Sequence, residues 1–139
     1  MTRTPPDMTW ALNRLAENPG ALFALLFSGD GLVMAKSDKL SKDDADSAAA
    51  ALSGIQSLSR GLSRFCGAEA LKWGITVIEL GTHSVLVTAA GQNSCLAVSV
   101  AANLASPQMT IVSEATAKTA AAMSEALSAA ARTDGSPAV

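Results

Sequence analysis

Charge is scarce in this chain. Only 16% of its 139 residues are charged, against roughly a quarter in an average soluble domain, and the formal net charge is −2. No cluster of lysine and arginine occurs. The phosphates of a nucleic acid would therefore meet no basic face, and neither would an anionic membrane surface. Cysteine occurs twice, at Cys66 and Cys95, too rarely for a disulfide framework or a zinc site. Both are expected to be buried small hydrophobes. Long hydrophobic runs are missing as well. The longest, Ala21 to Phe27, falls far short of the roughly 20 residues that span a bilayer. Met1 to Asp7 is polar and proline-bearing, unlike a signal peptide. The expectation is a cytoplasmic protein with no nucleic-acid partner and no membrane insertion.

The motifs of catalysis are missing too. His83 is the only histidine, and its place between two strand-like runs reads as a surface loop. Without a second histidine there is no metal-ligand cluster. No Walker sequence, G-x-G-x-x-G or G-x-S-x-G elbow is present. A pairing of His83 with Cys66 or Cys95 is compatible with the spacing but has nothing else in its favour. Asp43, Asp44 and Asp46 cluster where a helix begins, and capping accounts for them. No catalytic residue, cofactor or metal is expected, and the chain does not read as an enzyme.

What the sequence does have is apolar content, 49% of residues, enough to bury a core in one domain. We place that domain at residues 7–132, between a loose amino terminus (1–6) and a disordered tail (133–139). A helix is expected over Asp7–Asn18, with Met8, Ala11, Leu12 and Leu15 on one stripe. Ala21–Ser28 and Leu32–Ser37 read as a hairpin turned at Gly29-Asp30-Gly31. Ser41 caps a helix with acids behind it, and the apolar periodicity carries that helix to about Phe65. Trp73–Leu80, Val85–Ala90 and Cys95–Ala101 read as a tight antiparallel meander. A last, alanine-rich helix covers Pro107–Ala131. The order α-β-β-α-β-β-β-α describes a mixed α+β fold with a five-stranded antiparallel sheet.

The central helix has two flanks of interest. Ala48, Ala51, Leu52, Ile55, Leu58, Leu62, Phe65 and Cys66 form an apolar sector suited to lying on a sheet. Beside it run Ala50, Gly54, Ser57 and Gly61. Each interior glycine costs a helix about 1 kcal/mol relative to alanine. The room they leave suits the close approach of another backbone: a second helix from an identical or different chain, or this chain's own sheet. Arg60 and Arg64 lie alongside, one turn apart, where arginines can bind a carboxylate or phosphate or simply be solvated. The strand containing Trp73, Ile75, Val77 and Glu79 is rich in β-branched residues. At a sheet edge it would pair with a copy of itself across a dimer.

Several phrases together resemble the Roadblock/dynein-light-chain family in its bacterial, actinobacterial-type branch. Leu25-Leu26-Phe27-Ser28-Gly29-Asp30-Gly31-Leu32-Val33-Met34-Ala35 is similar to that family's first hairpin. Ala48 to Gly61, with Leu52-Ser53-Gly54 and Leu58-Ser59-Arg60-Gly61, is similar to its central helix, and Ser94-Cys95-Leu96-Ala97-Val98 to its last strand. The alanines at Ala120–Ala122 and Ala129–Ala131 depart from the family's bulkier last helix.

The resemblance implies a profilin-like or longin-like fold with one helix on one face of the sheet and two on the other. It implies a homodimer joined through the third strand and the central helices, acting as a non-enzymatic adaptor or regulator of a small Ras-like GTPase in a bacterial signalling module. A sensor-kinase-like protein is a further implied partner. The interface would then draw on Ala50, Gly54, Ser57, Leu58, Arg60, Gly61, Arg64, Trp73, Ile75, Val77 and Glu79. Two other readings stay open: a small-molecule sensory domain on a related sheet, and a purely structural dimerisation module.

Overall fold

The computed structural model describes residues 7–133, and for Arg60 and residues 131–133 the backbone alone. The expected loose amino terminus lies outside the described residues, as does the expected tail apart from Thr133. Five strands form one antiparallel sheet in the order β2-β1-β5-β4-β3. They are β1 (Ala21–Ser28), β2 (Val33–Lys36), β3 (Ile75–Leu80), β4 (His83–Ala89) and β5 (Ser94–Val100). β1 and β5 pair centrally, Leu26 opposite Leu96 and Ala24 opposite Val98. Their near-continuous apolar runs fit that place, because a central strand covered on both faces needs apolar side chains at every position.

Strand alternation sends the side chains into two cores. Ala24, Leu26, Leu86, Leu96 and Val98 face one side, and Leu25, Phe27, Val87, Cys95 and Ala97 face the other. The first side is covered by α1 (Thr9–Ala16) and α4 (Pro107–Thr133), which contribute Leu12, Leu15, Met109, Val112 and Met123. The second is covered by α2 (Lys42–Leu52), through Ala45 and Ala49. One helix therefore lies on one face and two on the other. At the start of α2 the Ser41 hydroxyl accepts a hydrogen bond from the Asp44 N–H at 3.1 Å. Asp43 and Asp44 occupy the first turn, where they complement the helix dipole.

The central helix is not continuous to Phe65. It stops at Leu52, resumes as α3 (Ile55–Arg60), and ends in a 3₁₀ turn at Arg64–Cys66. The break falls at Ser53-Gly54, where the Ser53 hydroxyl turns back to the carbonyl of Ala50 and glycine holds the chain only weakly in helix. The face that meets the sheet is also rotated from the expected sector. Ala45 and Ala49 are buried, Ala48, Leu52 and Ile55 are half-buried, and Ala51, Leu58, Leu62, Phe65 and Cys66 are exposed. Methyl-sized side chains let α2 sit close to the sheet at its own centre line, which turns the bulkier residues aside.

Two boundaries and one burial differ in ways that matter for the site. β3 begins at Ile75, so Trp73 leads into the strand without belonging to it. His83 opens β4, paired with Leu80, because the turn is only Gly81-Thr82, with Gly81 at φ +71°. And Cys66, unlike Cys95, is exposed.

Candidate interaction surface

β3 is the last strand of the sheet. It pairs with β4 along its whole length, from Ile75 opposite Thr88 to Leu80 opposite His83. On its other side it meets no strand among the described residues. Such an edge offers unpaired N–H and C=O groups to another chain. Its sequence, Ile-Thr-Val-Ile-Glu-Leu, holds no lysine or proline, and Glu79 is its one charge. Ile75 is 49% exposed and Leu80 64% exposed.

Neighbouring groups hold this edge in place. The Trp73 indole Nε1 donates to Thr76 Oγ1 at 2.7 Å, while its ring packs against the α2-side core. Thr88 Oγ1 donates to the Gly74 carbonyl at 2.8 Å. At the other end, the Glu79 carboxylate accepts from the Leu104 N–H at 2.8 Å. The strand is thus fastened at both ends and open between them.

The strip read from the sequence lies next to this edge in the chain path. Ala50, Gly54, Ser57, Leu58, Gly61 and Arg64 are all exposed. A Cβ built on Gly54 would meet nothing within 4 Å, and one on Gly61 only the Leu58 carbonyl oxygen at 3.5 Å. Neither glycine has a positive φ. So neither is required by crowding within this chain or by a left-handed backbone. The helix break separates Ala50 from Gly54, Ser57 and Gly61, so these residues share a surface without forming one straight groove. Val77 points to the opposite side, half-buried against the α1/α4 core. Arg60 is placed in α3 by its backbone.

One feature escaped the sequence reading. Between α2 and the outer strands lies an open cleft of about 440 Å³, lined by Leu40, Ala48, Leu52, Ile78, Leu80 and Val85 among others. Asp44 and Ser99 are its polar lining residues. It lies on the α2 side of the sheet, where Ile78 is half-buried and Leu80 exposed on β3 and Val85 only half-buried on β4. A second apolar group stands beyond it in the chain: Leu58 is 72% exposed, Leu62 56% and Phe65 91%. The available signal was the apolar periodicity running past Leu52, which reports eventual burial and not the partner that supplies it.

Catalytic or metal chemistry finds little here. Among the described residues no group of three or more His, Cys, Asp or Glu is placed to hold a metal ion. His83 Nδ1 lies 2.8 Å from Thr82 Oγ1, both exposed. Burial pushes the Cys95 thiol up from its ordinary pKa, which leaves it protonated and a poor nucleophile at neutral pH.

A family model for the Roadblock/LC7 domain matches residues 10–99. The chain belongs to the Roadblock/LC7 family. The match runs from α1 into β5 and stops short of α4. Among solved structures, the Roadblock/LC7 domain from Streptomyces avermitilis is 29% identical, with a TM-score of 0.73, covering 84% of this chain and 94% of that one. MglB in a tetrameric arrangement is 21% identical with a TM-score of 0.73, covering 87% and 88% respectively. Myxococcus xanthus MglB is 16% identical with a TM-score of 0.72, covering 88% and 95%. The last two likenesses establish the shared Roadblock fold. No curated protein matches the chain by sequence. No helix among the described residues is long and apolar enough to cross a membrane.

Proposed function

We propose that this Roadblock protein is a homodimeric adaptor or regulator that binds a small Ras-like GTPase in a bacterial signalling module, without catalysing a reaction itself. The observation that carries the dimer is the open β3 edge, with Ile75 and Leu80 in water on either end of it. Two such edges related by a two-fold axis satisfy each other's backbone groups and make one ten-stranded sheet from two five-stranded ones. The partner class rests on family membership. The exposed strip at Ala50, Gly54, Ser57, Gly61 and Arg64 is where the dimer or its GTPase would make contact, and room at Gly54 unused by the chain itself supports that. A sensor-kinase-like protein is the second partner class to test.

A small-molecule sensor is the weaker reading. The cleft beside α2 is of ligand size, but such sites gain specificity from several convergent polar groups, and this lining offers Asp44 and Ser99.

The test is binding and hydrolysis measured together. Purified protein is titrated into candidate Ras-like GTPases in both nucleotide states, wild type beside Gly54→Arg. The proposal expects binding by the wild type, lost or weakened in the variant, with the variant's far-UV spectrum unchanged. No binding to any such GTPase in either state would contradict it.

A further inference from the structure

We infer that the groove between α1 and α4 docks an amphipathic helical segment of another protein, one that carries apolar residues beside a central pair of carboxylates. The groove lies on the opposite face of the sheet from α2. This goes beyond the proposed GTPase contact and does not depend on the dimer.

α1 and α4 run antiparallel across the sheet. Trp10 and Ala11 line one end of the space between them with Ala122 and Met123, and Leu15 and Pro19 line the other with Ala115. The two depressions, of about 410 and 420 Å³, share Arg14, Lys118 and Thr119 and so make one groove. From Ala115 to Ala126 its α4 wall is about 16 Å long, or about three helical turns. That wall is open because alanines at Ala115, Ala122 and Ala126 present only methyl groups there. Ala122 belongs to the run that departs from the family's bulkier last helix. α1 rests on β1 and β2, and α4 on β4 and β5. The groove therefore lies over the middle of the sheet, clear of the β3 edge.

The chemistry of the lining selects the occupant. Trp10 leaves 64% of its surface in water, and with Ala122 and Met123 it forms an apolar seat at one end. One helical turn away stand Arg14 and Lys118, both exposed. Among the described residues the one ion pair joins Lys42 to Asp46, so neither groove cation meets a carboxylate there. The other polar groups are already engaged. Thr119 Oγ1 donates to the Ala115 carbonyl at 2.8 Å, Asn18 Nδ2 donates to that of Leu15 at 3.0 Å, and the Asp7 carboxylate accepts from the Thr9 N–H at 2.9 Å. What remains is a cationic pair beside an apolar seat. Its complement is a helix laid in the groove, with carboxylates one turn from its apolar anchors. Asp7 and Glu17 stand at the two ends, so the occupant's acids belong at its middle. An anionic membrane is drawn by clusters of about four or more basic residues, and two cations between two acids make no such surface.

The probe is a panel of synthetic helical peptides of about 14 residues. Each carries two apolar residues one turn from a central pair of glutamates, and each has glutamine and lysine versions. They are titrated into the isotope-labelled full chain while its two indole N–H signals are followed by NMR. Trp10 reports the groove, and Trp73, bonded to Thr76 on the α2 side, serves as the internal control. Glutamate peptides should shift the Trp10 signal and leave that of Trp73 in place, with glutamine versions binding roughly tenfold more weakly. Arg14→Glu combined with Lys118→Glu should abolish that binding and transfer it to the lysine peptides. The far-UV spectrum should stay that of the wild type, because both side chains are exposed. Binding that survives the charge reversal, a shift of Trp73 in place of Trp10, or no binding by any peptide of the panel overturns the assignment. A Trp10 signal that moves with protein concentration alone gives the groove to a second copy. One that moves with phosphatidylglycerol vesicles and not with peptides gives it to a lipid surface. Either of those results also overturns the proposal.

Discussion

The carboxylate of Glu79 on the edge strand accepts a hydrogen bond from the backbone N–H of Leu104, 2.8 Å away in the segment that precedes α4. The link ties the free edge of the sheet to the start of the longest helix. It also engages within its own chain a group whose place on β3 suggests contact with a partner. Replacing Glu79 with alanine should lower the free energy of urea unfolding by about 0.5–1 kcal/mol, below the range of a buried hydrogen bond to a charged group because the site is solvated. Glu79→Gln should recover most of it. Unchanged stability with weakened dimerisation would instead assign Glu79 to the contact between copies.

Trp73 acts on the same strand from the other end. Its ring packs in the α2-side core and its Nε1 holds Thr76 at 2.7 Å. Trp73→Phe keeps much of the packing and removes the donor. The expected cost is about 1 kcal/mol in denaturant unfolding, with faster hydrogen exchange confined to β3. Exchange that rises evenly across the sheet would contradict a local fastening role.

How far the sequence exposed this architecture depended on what each pattern measures. β1 and β5 were readable because they are apolar on both faces and bounded by Pro19-Gly20, Gly29-Asp30-Gly31 and Gly91-Gln92-Asn93. Their cores fill from both sides in the structure. The central helix was misjudged for the converse reason. Leu58, Leu62 and Phe65 keep helical spacing after Leu52, but that spacing does not require an unbroken helix, nor burial against the chain's own sheet. The cleft beside α2 had no signal of its own. It exists because Ala45 and Ala49, not the larger Leu52 and Ile55, set where α2 rests. Cys66 was expected inside by composition, and it is outside because the segment that carries it turns away from the sheet.

Ser37 completes the β1–β2 ladder with its side chain. Its N–H donates to the Ala24 carbonyl at 2.9 Å, and its hydroxyl accepts from the Ala24 N–H at 3.0 Å, both buried. Ser37→Ala would strand that N–H away from water, at a cost of about 1–3 kcal/mol. Thermal or urea unfolding of the variant beside Ser37→Thr, which keeps the hydroxyl, would check it. Equal losses in the two variants would mean that packing, not the hydrogen bond, decides.

The two cysteines should separate cleanly in a thiol titration. Cys66 is exposed, whereas Cys95 is buried in the sheet with its thiol pKa raised by desolvation. At about pH 7.5 a thiol-reactive dye should label the exposed Cys66 quickly and Cys95 only on unfolding. Dimerisation should slow labelling of Cys66 as concentration rises, because the segment beside it becomes covered. A Cys66 rate independent of concentration would speak against burial of that segment between copies.

The central claim, that β3 is an edge awaiting a second copy, is met most directly by measuring mass in solution. Light scattering across a wide range of protein concentration should give twice the 14.1 kDa chain mass, falling toward the single-chain value on dilution. A mass of one chain at every concentration would contradict the account.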